Sequence, residues 1–240
     1  MTPGLTIGGS ADVTGGSIVG GDLINVVLHV VQNALPAGDP LPNQFKATLA
    51  NLDILVSSVR AWKRTHNTLD EIRNRFDPFK RLLELSRSRR RPLPSDQLRN
   101  PWRMASYKLE GLPGRLEEVQ YVEALFADKQ PEMRLAPHSG DTEEVMRKSR
   151  QLLDLARHLN RHLAIDGEQV EALPAPSLVR RLAASLLLPS ANSAQWWGTL
   201  YEWTDDLDSK LTEAMYLTDQ VLRLSADGLF EFSQRTLVAH

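Results

Sequence analysis

The longest hydrophobic pattern in the chain begins at Phe45 and ends at Phe76, with a mostly apolar side chain every three or four residues. This spacing matches the period of an α-helix and places these side chains on one face. The pattern therefore predicts a helix of about nine turns. The positions on this face are Phe45, Leu49, Leu52, Val56, Val59, Trp62, His66, Leu69, Ile72 and Phe76.

Asp77 and Pro78 are expected to interrupt this helix. Aspartate caps helix N-termini and proline suits the first helical position, so a new helix is predicted to start here and to run to about Ser88. The sequence from Arg87 to Pro92 then forms a basic break.

Shorter helical patterns follow along the rest of the chain. The predicted helices are 98–109, 115–126, one from a capping-box-like start at Asp141 to about Gly167, 178–188, one from Asn192 or Ser193 to Gly228, and 229–238. Gly111-Leu112-Pro113-Gly114 separates the first two, and a loop is expected over 127–140. Short connections favour antiparallel neighbours, which predicts a helical bundle domain over 43–240.

The first 36 residues do not share this helical period. Seven of the 14 glycines lie within the first 21 residues, and residues 15–24 read as two pentads of the form glycine-glycine-polar-apolar-apolar. β-branched residues between glycine pairs favour short extended segments. The predicted fold class is therefore mainly α, an antiparallel helical bundle preceded by a glycine-rich β segment over 1–36. A proline-containing linker at 36–42 separates the two parts.

Two pentads are too few to form a stable repeat structure by themselves. We therefore expect this segment to pair with the same segment of a second chain, giving a homo-oligomer, or with another protein. A flexible glycine-rich leader is the alternative. The candidate interaction residues are Ile18, Val19, Asp22, Leu23 and Ile24.

The composition is that of a soluble globular protein, with 42% hydrophobic and 24% charged residues and a net charge of −2. The chain has no cysteine, which excludes disulfide scaffolds, thiolate zinc sites and cysteine nucleophiles. No positively charged n-region of a signal peptide is present, and Leu23–Val31 is too short to span a bilayer. A cytoplasmic protein without a membrane partner is expected.

Charge is unevenly distributed along the chain. Residues 60–103 contain 13 Lys or Arg and 5 Asp or Glu, whereas residues 192–240 contain 3 and 8. The basic segment 80–103, with Trp102 and the candidate residues Arg89, Arg90 and Arg91, is a possible surface for a phosphate backbone. A nucleic-acid-binding regulator is therefore the alternative function. The basic segment could instead pair with acidic residues of the last long helix, namely Glu202, Asp205, Asp206 and Asp208.

No catalytic, metal or cofactor site is predicted. The glycine-rich segment lacks the G-x-x-x-x-G-K-[ST] motif, and no Lys or Arg precedes Lys46. His158 and His162 are four residues apart on one helix face, but a metal site needs a third ligand. Leu159 and Asn160 follow His158, so the H-E-x-x-H arrangement is absent. These histidines are expected at a solvated or interface position.

Three further residues are candidates for packing or for partner binding. His66 lies on the apolar face of the long helix, where a core histidine with one internal partner is expected and an interface role is the alternative. Trp196 and Trp197 are adjacent at the start of the last long helix. One helix face cannot bury both, so at least one should be partly exposed, as at an interface hot spot.

Two stretches resemble parts of bacterial conflict and signalling proteins. The pentads over 15–24 resemble glycine-rich "GGD" segments near the termini of proteins that carry caspase-like proteases, helical-repeat ATPases or effector-associated adaptor domains. The segment 62–70 resembles the K-x-x-H-D-x-L-H helix of small helical domains associated with such proteases and with TPR repeats. Asn67 stands in place of the usual aspartate, and Asp70 in place of the second histidine.

The resemblance implies a role in a defence or cell-death-like signalling system. A caspase-type His/Cys dyad cannot exist in a chain without cysteine. The chain would therefore be a non-enzymatic adaptor, partner or target, and the resemblance implies a protease or ATPase of the same system as its protein partner.

Overall fold

The computed structural model describes residues 43–89, 95–136, 139–171 and 191–238. The backbone forms five α-helices in these ranges. They are α1 (Asn43–Arg89), α2 (Ser95–Leu109), α3 (Leu112–Met133), α4 (Ser139–Glu171) and α5 (Ala191–Val238).

The prediction of a mainly α fold is confirmed for the described residues, in which no strand occurs. None of the five described helices combines the length and the apolarity needed to cross a lipid bilayer. Several predictions lie outside the described residues. These are the glycine-rich segment 1–36 with its candidates Ile18, Val19, Asp22, Leu23 and Ile24, the helix at 178–188, and the arginines Arg90 and Arg91.

The two longest helices, α1 and α5, pack against each other in opposite directions. Arg73 on α1 donates a hydrogen bond to the hydroxyl of Thr212 on α5 (2.7 Å). Further along α1, Lys80 donates to Asp208, which precedes Thr212 on α5 (2.6 Å). A later residue of α1 therefore contacts an earlier residue of α5, as expected for antiparallel helices.

The helices α2 and α3 together run back along α1. Lys108 of α2 pairs with Glu71 of α1 (2.6 Å), and Glu123 of α3 accepts a hydrogen bond from Ser58 nearer the start of α1 (2.7 Å). The α4 helix then returns beside α2 and α5. This arrangement is the antiparallel helical bundle that the short connections predict.

The apolar core follows α1 along its length. One large cluster of buried side chains includes Trp62, Phe76 and Phe79 of α1 and Trp102 of α2. The ring centroids of Phe79 and Trp102 are 5.2 Å apart, and those of Phe76 and Trp102 are 6.4 Å apart. A second, smaller cluster lies near the start of α1 and consists of Leu55, Phe126, Met133 and Leu135.

The predicted break at Asp77 and Pro78 is wrong, because α1 continues through both residues. A proline inside a helix removes one backbone hydrogen bond and costs about 3 kcal/mol. Pro78 is exposed, so its ring faces solvent, while Phe76 and Phe79 on either side are fully buried. The burial of these two rings offsets the cost of the proline.

The predicted break at Gly228 is also wrong, since α5 runs through it to Val238. A glycine inside a helix costs only about 1 kcal/mol relative to alanine. Leu229 and Phe232, just after the glycine, pack against the smaller core cluster. These contacts outweigh the cost and keep the last two predicted helices joined as one.

The predicted loop at 127–140 is mostly helical. The α3 helix extends to Met133, with the exposed Pro131 inside it, and ends where Arg134 adopts a left-handed conformation (φ 55°). Burial of Met133 in the smaller core cluster accounts for this extra length. At the other end of α3, residues 111–114 were predicted to separate two helices. The connection is a tight turn at Glu110 and Gly111, because Pro113 fits the first turn of α3.

Replacing Phe79 by alanine should strongly destabilise the bundle, because its fully buried ring packs against Trp102. The free energy of unfolding should fall by about 3–5 kcal/mol, as measured by urea denaturation followed by circular dichroism. Leu85→Ala is the matched control on the same helix, since Leu85 is 46% exposed. Equal denaturation midpoints for the two variants would contradict the position assigned to Phe79.

Candidate interaction site

Aromatic and imidazole rings gather where α4 and the first turns of α5 meet. The ring of His162 stacks on Trp196 with centroids 4.7 Å apart and planes 12° from parallel. The same imidazole meets Trp203 nearly edge-on at 5.3 Å. His158 of α4 also stacks on Trp203 of α5, with ring centroids 5.4 Å apart. We call the following residues the aromatic cluster: His158, His162, Trp196, Trp197, Tyr201 and Trp203.

The spacing of these residues along the chain explains how they meet. His158 and His162 are four residues apart, so both rings project from the same side of α4. Trp196 and Trp203 are seven residues apart, about two turns, and share one side of α5. Because α4 and α5 are antiparallel, the later histidine meets the earlier tryptophan.

Hydrogen bonding fixes His162 in this cluster. Its Nε2 lies 3.0 Å from the backbone carbonyl oxygen of Trp196. A carbonyl oxygen only accepts, so Nε2 carries the hydrogen of this bond. The indole nitrogen of Trp196 is buried and has no hydrogen-bond partner in the described part of the chain.

The tryptophans of the cluster are only half-buried. Trp196, Trp197 and Trp203 pack against the large core cluster and keep part of their surface exposed. This confirms the prediction that at least one of the two adjacent tryptophans is partly exposed. Beside them, Gly198 is exposed, and among the described residues no neighbouring atom lies within 4 Å of where a Cβ would be. No described side chain therefore covers the surface at this position.

The last turns of α1 reach this cluster through Arg87. Its guanidinium lies 5.5 Å from the ring centroid of Tyr201, within the range of a cation–π contact. Arg87 also lies 3.6 Å from Asp205, and both side chains are well exposed. The helix ends two residues later at Arg89, so the basic break starts directly beside the aromatic cluster.

The basic segment finds part of its counter-charge inside the molecule. Lys80 donates to Asp208 at 2.6 Å, and Arg73 lies 3.6 Å from the same carboxylate. The hydrogen bond to Asp208 raises the pKa of Lys80 above its usual 10.5. Lys80 and Arg87 thus pair two of the four predicted acidic residues, Asp208 and Asp205, with the described part of the basic segment. Asp206 instead lies 3.9 Å from Lys210 of its own helix.

Trp102 is not placed to stack on a nucleotide base. Only 3% of its surface is exposed, and its indole N–H donates to the side-chain oxygen of Asn160 on α4 (2.5 Å). The hydroxyl of Ser106 shares this oxygen at 3.2 Å. Trp102 therefore fixes α2 against α4 in the core, and no sequence pattern indicates Asn160 as its partner.

His66 lies at the edge of the core, where it is half-buried between Trp62 and Leu69. An interface role for it stays a prediction. The polar contact next to it comes from Trp62, whose indole N–H donates to Glu123 on α3 (2.8 Å). The sequence pattern did not predict this role for Glu123. It shows only that a carboxylate lies beside the apolar positions of α3.

A cleft of about 520 Å³ opens between α3 and α4. Its lining mixes carboxylates such as Glu123 and Glu144 with the guanidiniums of Arg147 and Arg150. Arg147 donates to Glu144 at 2.8 Å, so opposite charges within the lining are already paired. The part of the chain described here contains no group of three or more His, Asp or Glu side chains that could hold a metal ion.

Comparison with known proteins gives no assignment. No protein-family model, curated protein or solved structure matches this chain.

Replacing Asp208 by asparagine should destabilise the α1–α5 contact, because Lys80 and Arg73 lose their shared carboxylate. We expect the free energy of unfolding at neutral pH to fall by about 1–2 kcal/mol in urea denaturation. Because the folded state raises the Lys80 pKa above 10.5, this contribution is fully present below that pH and is lost as the pH rises through the raised pKa. Asp208→Asn should lack that alkaline loss.

The matched control is Asp227→Asn on the same helix. Asp227 is exposed and takes no part in the contacts with Lys80 and Arg73. Its replacement should change the unfolding free energy by less than about 0.5 kcal/mol. If both variants lose the same stability, the contact of Lys80 with Asp208 does not join the two helices.

Proposed function

We propose that this chain is a non-enzymatic protein-interaction component that binds a protein partner through the aromatic cluster. The observation that carries the proposal is the group of half-buried tryptophans Trp196, Trp197 and Trp203 at one end of the bundle. Tryptophan is among the residues most enriched at interface hot spots. Three such rings in one place give a partner a large apolar contact surface.

The rigidity of the cluster supports a binding role. The rings are held by stacking on two histidines of α4, and Trp196 and Trp197 meet edge-on at 5.1 Å. Rings that are fixed before binding lose little conformational freedom when a partner covers them. The open surface beside Gly198 gives a partner access to Trp197.

The alternative function, nucleic-acid binding through 80–103, has less support. Lys80 and Arg87 contact acidic residues of α5, which lowers the positive charge available to a phosphate backbone. Trp102 is enclosed in the core and so offers no stacking surface. Protein binding through the aromatic cluster does not require these side chains to change partners.

The resemblance to bacterial conflict systems suggests a setting for this interaction. The chain would act there as an adaptor or target, with a protease or ATPase of the same system as its partner. The glycine-rich segment 1–36 would assemble copies of the chain by pairing strands across chains. The helical bundle would then carry the partner-binding surface.

Deleting residues 1–36 should lower the assembly state without unfolding the bundle, because the proposed assembly segment precedes α1. Light scattering would measure the mass, and circular dichroism would report the helical signal. A truncated protein that keeps the full-length mass state would count against assembly through this segment.

Replacing Trp197 by alanine should weaken partner binding by at least about tenfold, as expected when a hot-spot ring is removed. The partner to test is a protease or ATPase of such a signalling system, if one is encoded beside this chain, and titration calorimetry would give the affinity. Tyr121→Ala is the control, since Tyr121 is a 67% exposed ring on α3. If neither variant, or both equally, loses affinity, the aromatic cluster is not the binding surface.

A further inference from the structure

The outer face of α4 has a row of exposed arginines. Residues 139–164 contain five Lys or Arg and four acidic residues. Arg147 and Arg157 pair with Glu144 and Asp154 on the same helix, whereas the other basic residues of this row extend it beyond these pairs. Four of the basic residues are arginines spaced by three, seven and four positions, so they project from one side of the helix. All four are exposed. We call them the arginine ridge: Arg147, Arg150, Arg157 and Arg161.

The neighbouring outer face of α5 is acidic. Glu202, Asp206 and Glu213 are spaced by four and seven positions and therefore share one side of the helix. We call these three residues the acidic stripe. Glu202 is exposed, and the Asp206 and Glu213 side chains are 49% and 39% exposed. Tyr216 continues this side with a ring that is 63% exposed.

Contacts between the two helices set the ridge and the stripe side by side. Lys148 of α4 donates to Glu213 of α5, and His158 stacks on Trp203 further along. The helices are antiparallel, so Arg157 and Arg161 lie level with Glu202. By the same register, Arg147 and Arg150 lie level with Glu213.

We propose that this α4–α5 face binds a second copy of the chain around a two-fold axis parallel to the helices. That rotation places α4 of each copy opposite α5 of the other. It leaves the position of every residue along the helix axis unchanged. Each arginine ridge then faces the acidic stripe of the other copy, and the contact occurs twice. The interface is isologous and closes as a dimer. The face borders the aromatic cluster, because the stacked rings of His158 and Trp203 lie where α4 meets α5, and it does not involve the segment 1–36.

The charges select this orientation over the other face-to-face arrangement. A two-fold axis perpendicular to the helices would place α4 opposite α4 and bring one arginine ridge against the other. Each exposed ion pair contributes only about 0–1 kcal/mol, so the charges set the register. Burial of exposed apolar surface, such as the ring of Tyr216, supplies further association energy.

The size of the face fits a stable dimer. The 33 residues of α4 extend about 50 Å, and two adjacent helices present a face about 20 Å wide. This area accommodates a standard interface of about 800 Å² per partner.

A nucleic acid fits this face less well than a second copy does. The arginine ridge is one helix wide, and a duplex lying on it would also cover the acidic stripe. The carboxylates of Glu202 and Asp206 would then repel its phosphates. A fitting partner must be negative opposite α4 and positive opposite α5. The same face of a second copy, turned by half a revolution, has this charge pattern.

A charge swap in the full-length chain tests the proposal. One variant is Arg150→Glu/Arg161→Glu and the other is Glu202→Lys/Asp206→Lys; each places like charges across the interface. Sedimentation velocity at low salt should give each variant half the mass of the wild-type assembly. An equimolar mixture should restore the wild-type mass, because acidic α4 then faces basic α5 and acidic α5 faces basic α4.

The control is Lys63→Glu/Arg75→Glu, which reverses two exposed charges on α1 and should keep the wild-type mass. Wild-type mass in both charge-swap variants, or a mixture that stays at half mass, would overturn the proposal. So would variants that keep the mass while Arg150→Glu/Arg161→Glu abolishes duplex binding in an anisotropy assay, since the ridge would then be a nucleic-acid surface. Partner binding is tested at Trp197, which belongs to neither the ridge nor the stripe, so the two proposals are tested by different substitutions and different readouts.

Discussion

Burial of the apolar face of α1 is the constraint on which the rest of the structure depends. This one helix contacts α2, α3 and α5, and its large side chains Trp62, Phe76 and Phe79 are fully enclosed by them. Burial of apolar area at about 25 cal/mol per Å² is the main favourable contribution to folding. The α4 helix packs mainly against α5 and α2. A continuous α1 therefore determines where every other helix can lie.

The sequence predicted the helices well and their ends poorly. Apolar positions such as Leu152, Leu207 and Val221 are buried as the helical period predicts. Errors arose at Pro78 and Gly228, where local propensity was taken to end a helix. Propensity costs of about 1–3 kcal/mol are smaller than the gain from burying neighbouring aromatic rings. That gain depends on tertiary contacts, which a single helix pattern does not contain.

The register between α4 and α5 determines which side chains meet at both proposed surfaces. It stacks His162 on Trp196, and it places the arginine ridge beside the acidic stripe. The residue pairs His158–His162 and Trp196–Trp197 were visible in the sequence, but their contact depends on how far one helix is shifted along the other. No single helix pattern specifies that shift. Both proposed surfaces therefore follow from one packing relationship.

The pairing of α1 with α5 has a consequence for synthesis on the ribosome. Arg73 and its partner Thr212 are 139 residues apart in the chain. At roughly 5–20 residues per second, the side of α1 that α5 covers waits about 7–28 s for its partner helix to emerge. During that interval the main partners available to α1 are α2 and α3. The nascent chain therefore exposes an unprotected apolar strip, at which a chaperone or a neighbouring nascent chain can bind before the bundle closes.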